Sequence, residues 1–174
     1  GVLQPDADDL QGLRATTTEF VRREVLPHQD EWERAGEIPR ELHRTAGDLG
    51  LIGVAFPESA GGGGAGVRAS VVVTEAFHEA GGAGGVHASL FTAGIACPHI
   101  VTAGDQAQID RWVAPTLAGE LIGALGITEP GGGSDVGHLR TTARREGDEF
   151  IVNGAKTYIT SGKRADFVTT AVRT

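Results

Sequence analysis

The residues best suited to chemistry lie in a glycine-dense turn at positions 125–135, whose sequence is LGITEPGGGSD. An apolar run ends there at three consecutive glycines, which let the backbone adopt positive φ and approach a ligand closely. Thr128 and Ser134 flank the turn with hydroxyls that can donate or accept hydrogen bonds. The turn is therefore predicted to be the first half of a cofactor site, with backbone amides set against an anion.

A second polar segment follows at positions 153–162, with the sequence NGAKTYITSG. Asn-Gly is a strong signal for a tight hairpin turn, and the residues after it read as a short strand. An aromatic side chain and hydroxyl side chains are close together in this segment. We predict that it forms the second half of the same site.

The two segments together resemble the signature of the acyl-CoA dehydrogenase family, T-E-P-G-x-G-S-D followed by N-G-x-K-x-[WY]-I-[TS]. The resemblance covers the whole chain, because the upstream region is similar to the family's helical N-terminal domain. It implies an α+β fold in which an all-helical domain precedes an antiparallel β-barrel-like middle domain, truncated here because family members are longer. It also implies an FAD-dependent enzyme that introduces a double bond beside the thioester of an acyl-CoA.

The same resemblance implies roles for individual residues. Thr128 would hydrogen-bond the polar edge of the isoalloxazine ring and Thr160 would reach toward N5, where preorganised donors stabilise the electron density that reduction adds. Ser134 would also lie near the pantetheine of the substrate. The family often has an aromatic residue in place of Leu125 and a tryptophan in place of Tyr158. The implied flavin-binding residues are Leu125, Ile127, Thr128, Gly133, Ser134, Tyr158, Ile159 and Thr160.

Residues that line the substrate or act on it are marked less directly. Leu90, Gly94 and Ile95 could line the acyl pocket, although their helical spacing equally suits plain core. Glu129 and Asp135 are interpreted as residues that fix the glycine turn by accepting hydrogen bonds from its own amides. The resemblance implies that the catalytic base is a glutamate from a C-terminal helical domain, so no catalytic residue is assigned within this chain.

This pattern leaves several functions open. The leading one is acyl-CoA dehydrogenation with electron-transferring flavoprotein as the acceptor. An acyl-CoA oxidase or flavin-dependent monooxygenase on the same fold is an alternative, because the choice of acceptor depends on oxygen access to the flavin. A non-catalytic flavin- or acyl-CoA-binding subunit is a third, which absence of the C-terminal glutamate would favour. A homo-oligomer, dimer or tetramer, is expected.

Composition narrows the classes of partner. A net charge of −8 argues against nucleic acid or an anionic membrane surface. No apolar run reaches the length of about 18 residues needed for a membrane span, and no signal peptide opens the chain, so a cytoplasmic location is expected. The histidines lack the spacing of a metal site, and Cys97 is predicted to be a buried, inert thiol. The glycine-rich stretch 61–66, with the sequence GGGGAG, is interpreted as a flexible surface loop rather than a dinucleotide-binding turn, because no clear strand precedes it.

Hydrophobic periodicity predicts how these residues are positioned. Apolar spacing of three to four residues before position 120 indicates helices, and a change of period after it indicates strands, so the predicted domains are residues 1–120 and 121–174. The predicted strands cover 121–128, 141–145, 150–152 and 167–172, with hairpins at 147–148 and 153–154. The last strand would lack later strands to pair with, and the chain is therefore interpreted as part of a longer protein.

Capping residues predict where several helices begin and end. Asp8 or Asp9 is expected to cap the first helix, and Asp105 a later one. Pro39 suits the first turn of another helix, which would place residues 42, 46 and 49 on one face and stop at Gly50.

Overall fold

The computed structural model describes residues 5–174, and helices precede strands as predicted. The helices are α1 (Ala7–Phe20), α2 (Gln29–Ala35), α3 (Arg40–Asp48), α4 (Gly66–Glu79), α5 (Gly84–Leu90), α6 (Ala93–Ala96), α7 (Pro98–Ala103), α8 (Gln106–Gln108) and α9 (Ala114–Leu117). Two π-helical segments, Val21–Val25 and Ile109–Val113, extend α1 and join α8 to α9. Glu58–Ala60 and Val136–His138 are 3₁₀ turns. The strands are β1 (Gly123–Gly126), β2 (Thr142–Glu146), β3 (Glu149–Asn153) and β4 (Phe167–Thr170).

Two helix starts show how local chemistry sets these bounds. The cap of α1 is Asp6, not Asp8 or Asp9: its side chain accepts from the Asp9 amide at 2.9 Å, and the Asp9 side chain accepts from the Asp6 amide at 3.2 Å. This reciprocal capping box satisfies two backbone donors at once. Asp105 caps α8 through the same arrangement with Gln108, so that prediction is confirmed.

Helix α3 begins after Pro39, as predicted, but its buried face differs from the prediction at one position. Leu42 and Ala46 are buried, whereas Leu49 is 45% exposed. The helix ends at Asp48, and the Leu51 amide turns back to the Ala46 carbonyl at 3.0 Å. Leu51 therefore takes the core position that helical spacing had assigned to Leu49.

The glycine tract forms the predicted loop at 61–65, with Gly66 beginning α4, and its backbone is hydrogen-bonded to residues 53–58. The amide of Gly63 donates to the Gly53 carbonyl at 3.0 Å, and the amide of Gly64 donates to the Phe56 carbonyl at 2.8 Å. An added Cβ at Gly62 would collide with the Phe56 backbone. The glycines allow two backbone segments to approach closely, which is a packing role rather than a ligand-binding one.

The hydrophobic core lies within the helical half. Phe77 on α4 is fully buried, and its ring meets that of Phe91 edge-on with 6.1 Å between centroids. Cys97 is also fully buried, and burial raises the pKa of its thiol to about 11, which confirms the prediction of a buried, unreactive cysteine. Phe167 on the strand side packs against this core.

The strands form two separate pairs. β2 and β3 pair antiparallel from Thr142 opposite Asn153 to Glu146 opposite Glu149, as the Gly147-Asp148 turn predicts. β1 and β4, however, pair in parallel, with Gly123 opposite Phe167. Asp166 fixes this register, because its carboxylate accepts from the Ile122 amide at 2.7 Å while its own amide donates to the Ile122 carbonyl at 2.8 Å.

The hairpin predicted at Asn153-Gly154 does not form. β3 ends at Asn153, and the following residues turn without pairing back onto it. The Thr157 amide instead donates to the Thr128 carbonyl at 2.8 Å, so this segment contacts the end of β1 rather than β3. Tyr158 and Ser161 have positive φ angles of 56° and 61°, which bend the chain toward β4.

Among the described residues, no single helix is long and apolar enough to cross a membrane, although the bent pair Gly84–Leu90 and Ala93–Ala103 would be by length and composition. Within residues 5–174 there is also no group of three or more His, Cys, Asp or Glu side chains that could hold a metal ion.

Candidate functional site

The carboxylate of Glu129 is the centre of the polar contacts behind the glycine turn. Its side chain is 8% exposed. Oε2 accepts from the Arg140 amide at 2.7 Å, and Oε1 accepts from the Thr141 amide at 2.9 Å. Oε1 also accepts from the ammonium of Lys156 at 2.9 Å. Three donors thus converge on one buried carboxylate.

Lys156 connects the second segment to the first. Its side chain is 11% exposed, and Nζ donates to the Ile127 carbonyl at 2.9 Å as well as to Glu129. Its aliphatic stem passes beside Gly126, where an added Cβ would lie 3.6 Å from Cγ. Two residues that are 27 positions apart are therefore joined by a buried ion pair.

These contacts keep the carboxylate ionised. The Thr141 hydroxyl beside it, the Lys156 ammonium and the Arg140 and Thr141 amides hold the pKa of Glu129 well below its usual range. The Thr141 hydroxyl itself falls short of hydrogen-bond geometry with any described atom. Donors occupy both carboxylate oxygens and make the group weakly basic, so Glu129 has a structural role.

The glycine turn itself is tight and open to solvent. The amides and carbonyls of Glu129 and Gly132 exchange hydrogen bonds of 2.9 and 3.1 Å. No atom lies within 4 Å of an added Cβ at Gly132, whereas at Gly133 the nearest atom is Thr128 Cγ2 at 3.5 Å. Ser134 is exposed and Thr128 is half-buried. The predicted first half of the site is therefore an exposed turn with room in front of it.

The second segment presents its side chains on a sharp turn. Tyr158 is 91% exposed on a backbone with φ of 56°, a conformation that costs a non-glycine residue of order 1 kcal/mol or more. Ile159 is half-buried and Thr160 is exposed. The Ser161 hydroxyl is buried and has no hydrogen-bond partner among the described residues. A strained turn with an exposed aromatic and an unsatisfied hydroxyl is typical of a surface that another group covers.

The remaining predicted residues lie in two different environments. Leu125 is half-buried in β1, and α6 packs against that strand. The Thr169 hydroxyl, on the neighbouring β4, donates to the Ala96 carbonyl of α6 at 2.8 Å. Gly94 on α6 is exposed, and Ile95 is 46% exposed. Leu90 is 1% exposed within the core. Gly94 and Ile95 therefore present a surface beside β1, while Leu90 packs inside the helical half, and their roles toward a substrate stay predictions.

The two acidic residues of the turn behave differently from each other. Glu129 does fix the turn, but its donors are the amides of residues 140 and 141 and the ammonium of Lys156, not the glycine amides. Asp135 is exposed, and its carboxylate contacts His138 Nδ1 at 2.8 Å. The expectation of bonds to the glycine amides is therefore wrong for both, and the Gly132 amide donates instead to the backbone carbonyl of Glu129.

Lys156 is the residue that sequence reasoning missed. A single lysine between hydroxyl and apolar neighbours, within the same pattern as Glu129, was a possible signal for a buried partner. Nothing in the spacing shows which distant carboxylate it would meet.

A second polar cluster joins the two halves of the chain. Arg40 on α3 contacts the Asp166 carboxylate at 2.6 Å, and Arg164 Nη2 lies 2.7 Å from His43 Nε2. His43 is 3% exposed, and its burial together with the charges of Arg164 and Arg40 lowers its pKa to about 4. Neutral His43 therefore accepts a hydrogen bond from Arg164 at neutral pH. Next to it, an added Cβ at Gly119, whose φ is 77°, would collide with the His43 carbonyl.

Two family profiles match the chain. The profile of the acyl-CoA dehydrogenase N-terminal domain matches residues 7–120, and that of the middle domain matches residues 124–174. The chain therefore belongs to the acyl-CoA dehydrogenase family.

Individual relatives are similar over nearly the whole chain. The mitochondrial long-chain specific acyl-CoA dehydrogenase of Mus musculus is 38% identical over 90% of this chain and 36% of its own length. A Mycobacterium smegmatis crystal structure described as an acyl-CoA dehydrogenase is 63% identical, with a TM-score of 0.94 over 98% of this chain and 44% of its own. A glutaryl-CoA dehydrogenase of the same organism, solved with FADH2, is 29% identical with a TM-score of 0.87, over 97% of this chain and 43% of its own. The chain thus spans less than half the length of these relatives.

Proposed function

We propose that this chain supplies the flavin site, and part of the substrate site, of an FAD-dependent enzyme that dehydrogenates an acyl-CoA between its α and β carbons. The observation that carries the proposal is the joining of the two polar segments. The Thr157 amide donates to the Thr128 carbonyl and the Lys156 ammonium donates to the Ile127 carbonyl. Residues 158–160 come directly after these contacts and therefore begin close to the end of β1.

The residues around this junction fit the shape and chemistry of a flavin. An isoalloxazine ring offers an apolar face and a polar edge, and here an exposed tyrosine, a half-buried isoleucine and several hydroxyls lie close together. The buried Ser161 hydroxyl has no partner among the described residues and could bond a polar group of the ligand. The open space in front of Gly132 would accommodate such a group. The FADH2-bound relative supports the choice of FAD.

The chemistry divides between the cofactor and the protein. A bound flavin supplies the hydride acceptor, which no amino-acid side chain can provide. Thr128 and Thr160 are assigned to donate hydrogen bonds to its polar edge, and Ser134 to contact the substrate near its thioester. Glu129 is a poor candidate for the base, because three donors bind its two oxygens and hold its pKa well below its usual range, which makes it weakly basic. The glutamate that removes the α proton is assigned to a part of the protein outside residues 5–174.

The substrate class and electron acceptor complete the proposal. Relatives named for long-chain acyl-CoA and glutaryl-CoA support an acyl-CoA thioester without specifying its acyl group. Electron-transferring flavoprotein is the proposed acceptor, and the assembly is proposed to be a homo-oligomer.

The test uses the protein at its full natural length. We expect it to purify yellow with non-covalent FAD and to lose its visible absorption when a suitable acyl-CoA is added without oxygen. Reoxidation by electron-transferring flavoprotein but only slowly by oxygen would identify a dehydrogenase, and rapid reoxidation by oxygen would identify an oxidase. A colourless protein that takes up no flavin on reconstitution would overturn the proposal.

A further inference from the structure

We propose that Glu129 and Lys156 form a positioning pair that holds the two flavin-facing segments in register, so that losing either charge weakens and distorts flavin binding without removing a flavin contact. The inference rests on the proposed flavin site. It assigns neither residue to the chemistry, since both side chains lie behind the turn and are about nine-tenths buried.

The contacts of Lys156 define what the pair holds. Its ammonium bridges the Ile127 carbonyl and Glu129 Oε1, each at 2.9 Å, so it binds the residues on both sides of Thr128. The next residue, Thr157, binds the Thr128 carbonyl through its amide at 2.8 Å. Three consecutive residues of the first segment are thereby tied to two consecutive residues of the second.

The contacts of Glu129 extend this connection to a third part of the chain. Its carboxylate accepts from the amides of Arg140 and Thr141, which lead into β2. Thr141 is buried and is packed so closely that Gly154, two residues before Lys156, admits no side chain beside it. The pair therefore fixes the glycine turn from behind while leaving its front open.

Burial explains why the pair would act as a unit. An ionised group with little solvent contact is costly when its partner is removed, whereas removal of both charges is far better tolerated. Neutralising Lys156 alone would leave an ionised Glu129 without its cationic partner. Water could reach this carboxylate only if the glycine turn moved. The neutral double variant would lack that driving force and should disturb the turn less, although Glu129→Gln leaves one oxygen for the Arg140 and Thr141 amides, so part of the order is still lost.

The experiment compares FAD affinity and the visible spectrum of the bound flavin in the full-length protein and four variants. These are Lys156→Met, Lys156→Arg, the double variant Glu129→Gln with Lys156→Met, and Lys163→Met as a matched control, because Lys163 is an exposed lysine directly after the same segment. Amide exchange of Thr157 in the apoprotein adds a readout that does not require flavin.

We expect Lys156→Met to raise the FAD dissociation constant about tenfold or more, to change the spectrum and to speed exchange of the Thr157 amide. Lys156→Arg should recover part of the affinity, the double variant should bind more tightly than Lys156→Met, and Lys163→Met should match wild type. If Lys156→Met does not fold, the double variant carries the test through its weakened affinity and altered spectrum.

Wild-type affinity and spectrum in both Lys156→Met and the double variant would overturn the positioning role while leaving the proposed function intact. A wild-type protein that binds no FAD would instead overturn the proposed function and this inference with it.

Discussion

In the helical half the buried residues are mostly apolar and form one continuous cluster, whereas in the strand half a carboxylate and a threonine are buried beside Ile122 and a few small residues. From residue 121 onward the buried residues are Ile122, Gly123, Ala124, Gly126, Glu129 and Thr141. All five residues of β3 are exposed. The first half is thus stabilised by side-chain volume and the second by directed polar contacts.

This difference matters for function because the two kinds of stabilisation suit different tasks. Apolar packing tolerates little change in volume but does not prescribe the direction of a neighbouring hydroxyl. A buried ion pair with defined donors fixes the backbone of a turn whose outer side stays open for a ligand. The helical half therefore provides the rigid core, and the strand half provides the open turn against which a ligand could lie.

The largest expected effect comes from removing volume in the helical half. Phe77→Ala deletes a fully buried ring and should lower the free energy of unfolding by about 4 kcal/mol. Phe150→Ala is the matched variant in the strand half, where the ring is 58% exposed, and it should change stability by less than about 0.5 kcal/mol. Thermal unfolding of the 174-residue chain measures both. Equal losses would show that the two halves are not stabilised differently.

A smaller effect should appear at His43, in the polar cluster that joins the two halves, as a dependence of the free energy of unfolding on pH. His43 has a folded pKa of about 4 against 6.5 when unfolded, so the unfolded chain binds more protons between these values. Stability that is present above pH 6.5 is therefore lost as pH falls toward 4, by about 3 kcal/mol for this group.

His43→Gln keeps an acceptor for Arg164 but cannot titrate. The loss between pH 6.5 and 4 should therefore be shallower in this variant than in wild type, by the contribution of His43. Asp166 and His87 also have lowered pKa values, but they remain in both proteins and cancel in the difference. Denaturant unfolding at several pH values measures the two slopes, and parallel slopes would contradict the role of His43.

Local signals predicted much of the fold. The order of helices and strands, the Asp105 cap and the β2–β3 hairpin each depend on residues close together in sequence, and each was confirmed. The prediction failed where a distant residue decides the outcome. Asp166 binds Ile122, and this contact places β4 parallel to β1. Asn153-Gly154 is a good local signal for a hairpin, but no hairpin forms because Thr157 binds Thr128 instead.

The candidate site divides in the same way. Its hydroxyls, glycines and aromatic residue are predicted from two short segments, and the family that these segments indicated is confirmed. The buried donors to Glu129 could not be predicted from the sequence, because the glycine amides beside this carboxylate are equally plausible donors. Which amides and which lysine reach Glu129 depends on how residues 140–156 fold back, and no local pattern encodes that.

The most direct test of the central claim, that the two segments form one flavin-binding surface, is the FAD dissociation constant of Thr128→Val and Thr160→Val in the full-length protein. Each substitution keeps the shape of the side chain and removes one hydroxyl, so each should weaken binding by about 1 to 3 kcal/mol, or roughly five- to 150-fold. Thr16→Val, on the exposed side of α1, should bind FAD as wild type does. Wild-type affinity in both Thr128→Val and Thr160→Val would contradict the account.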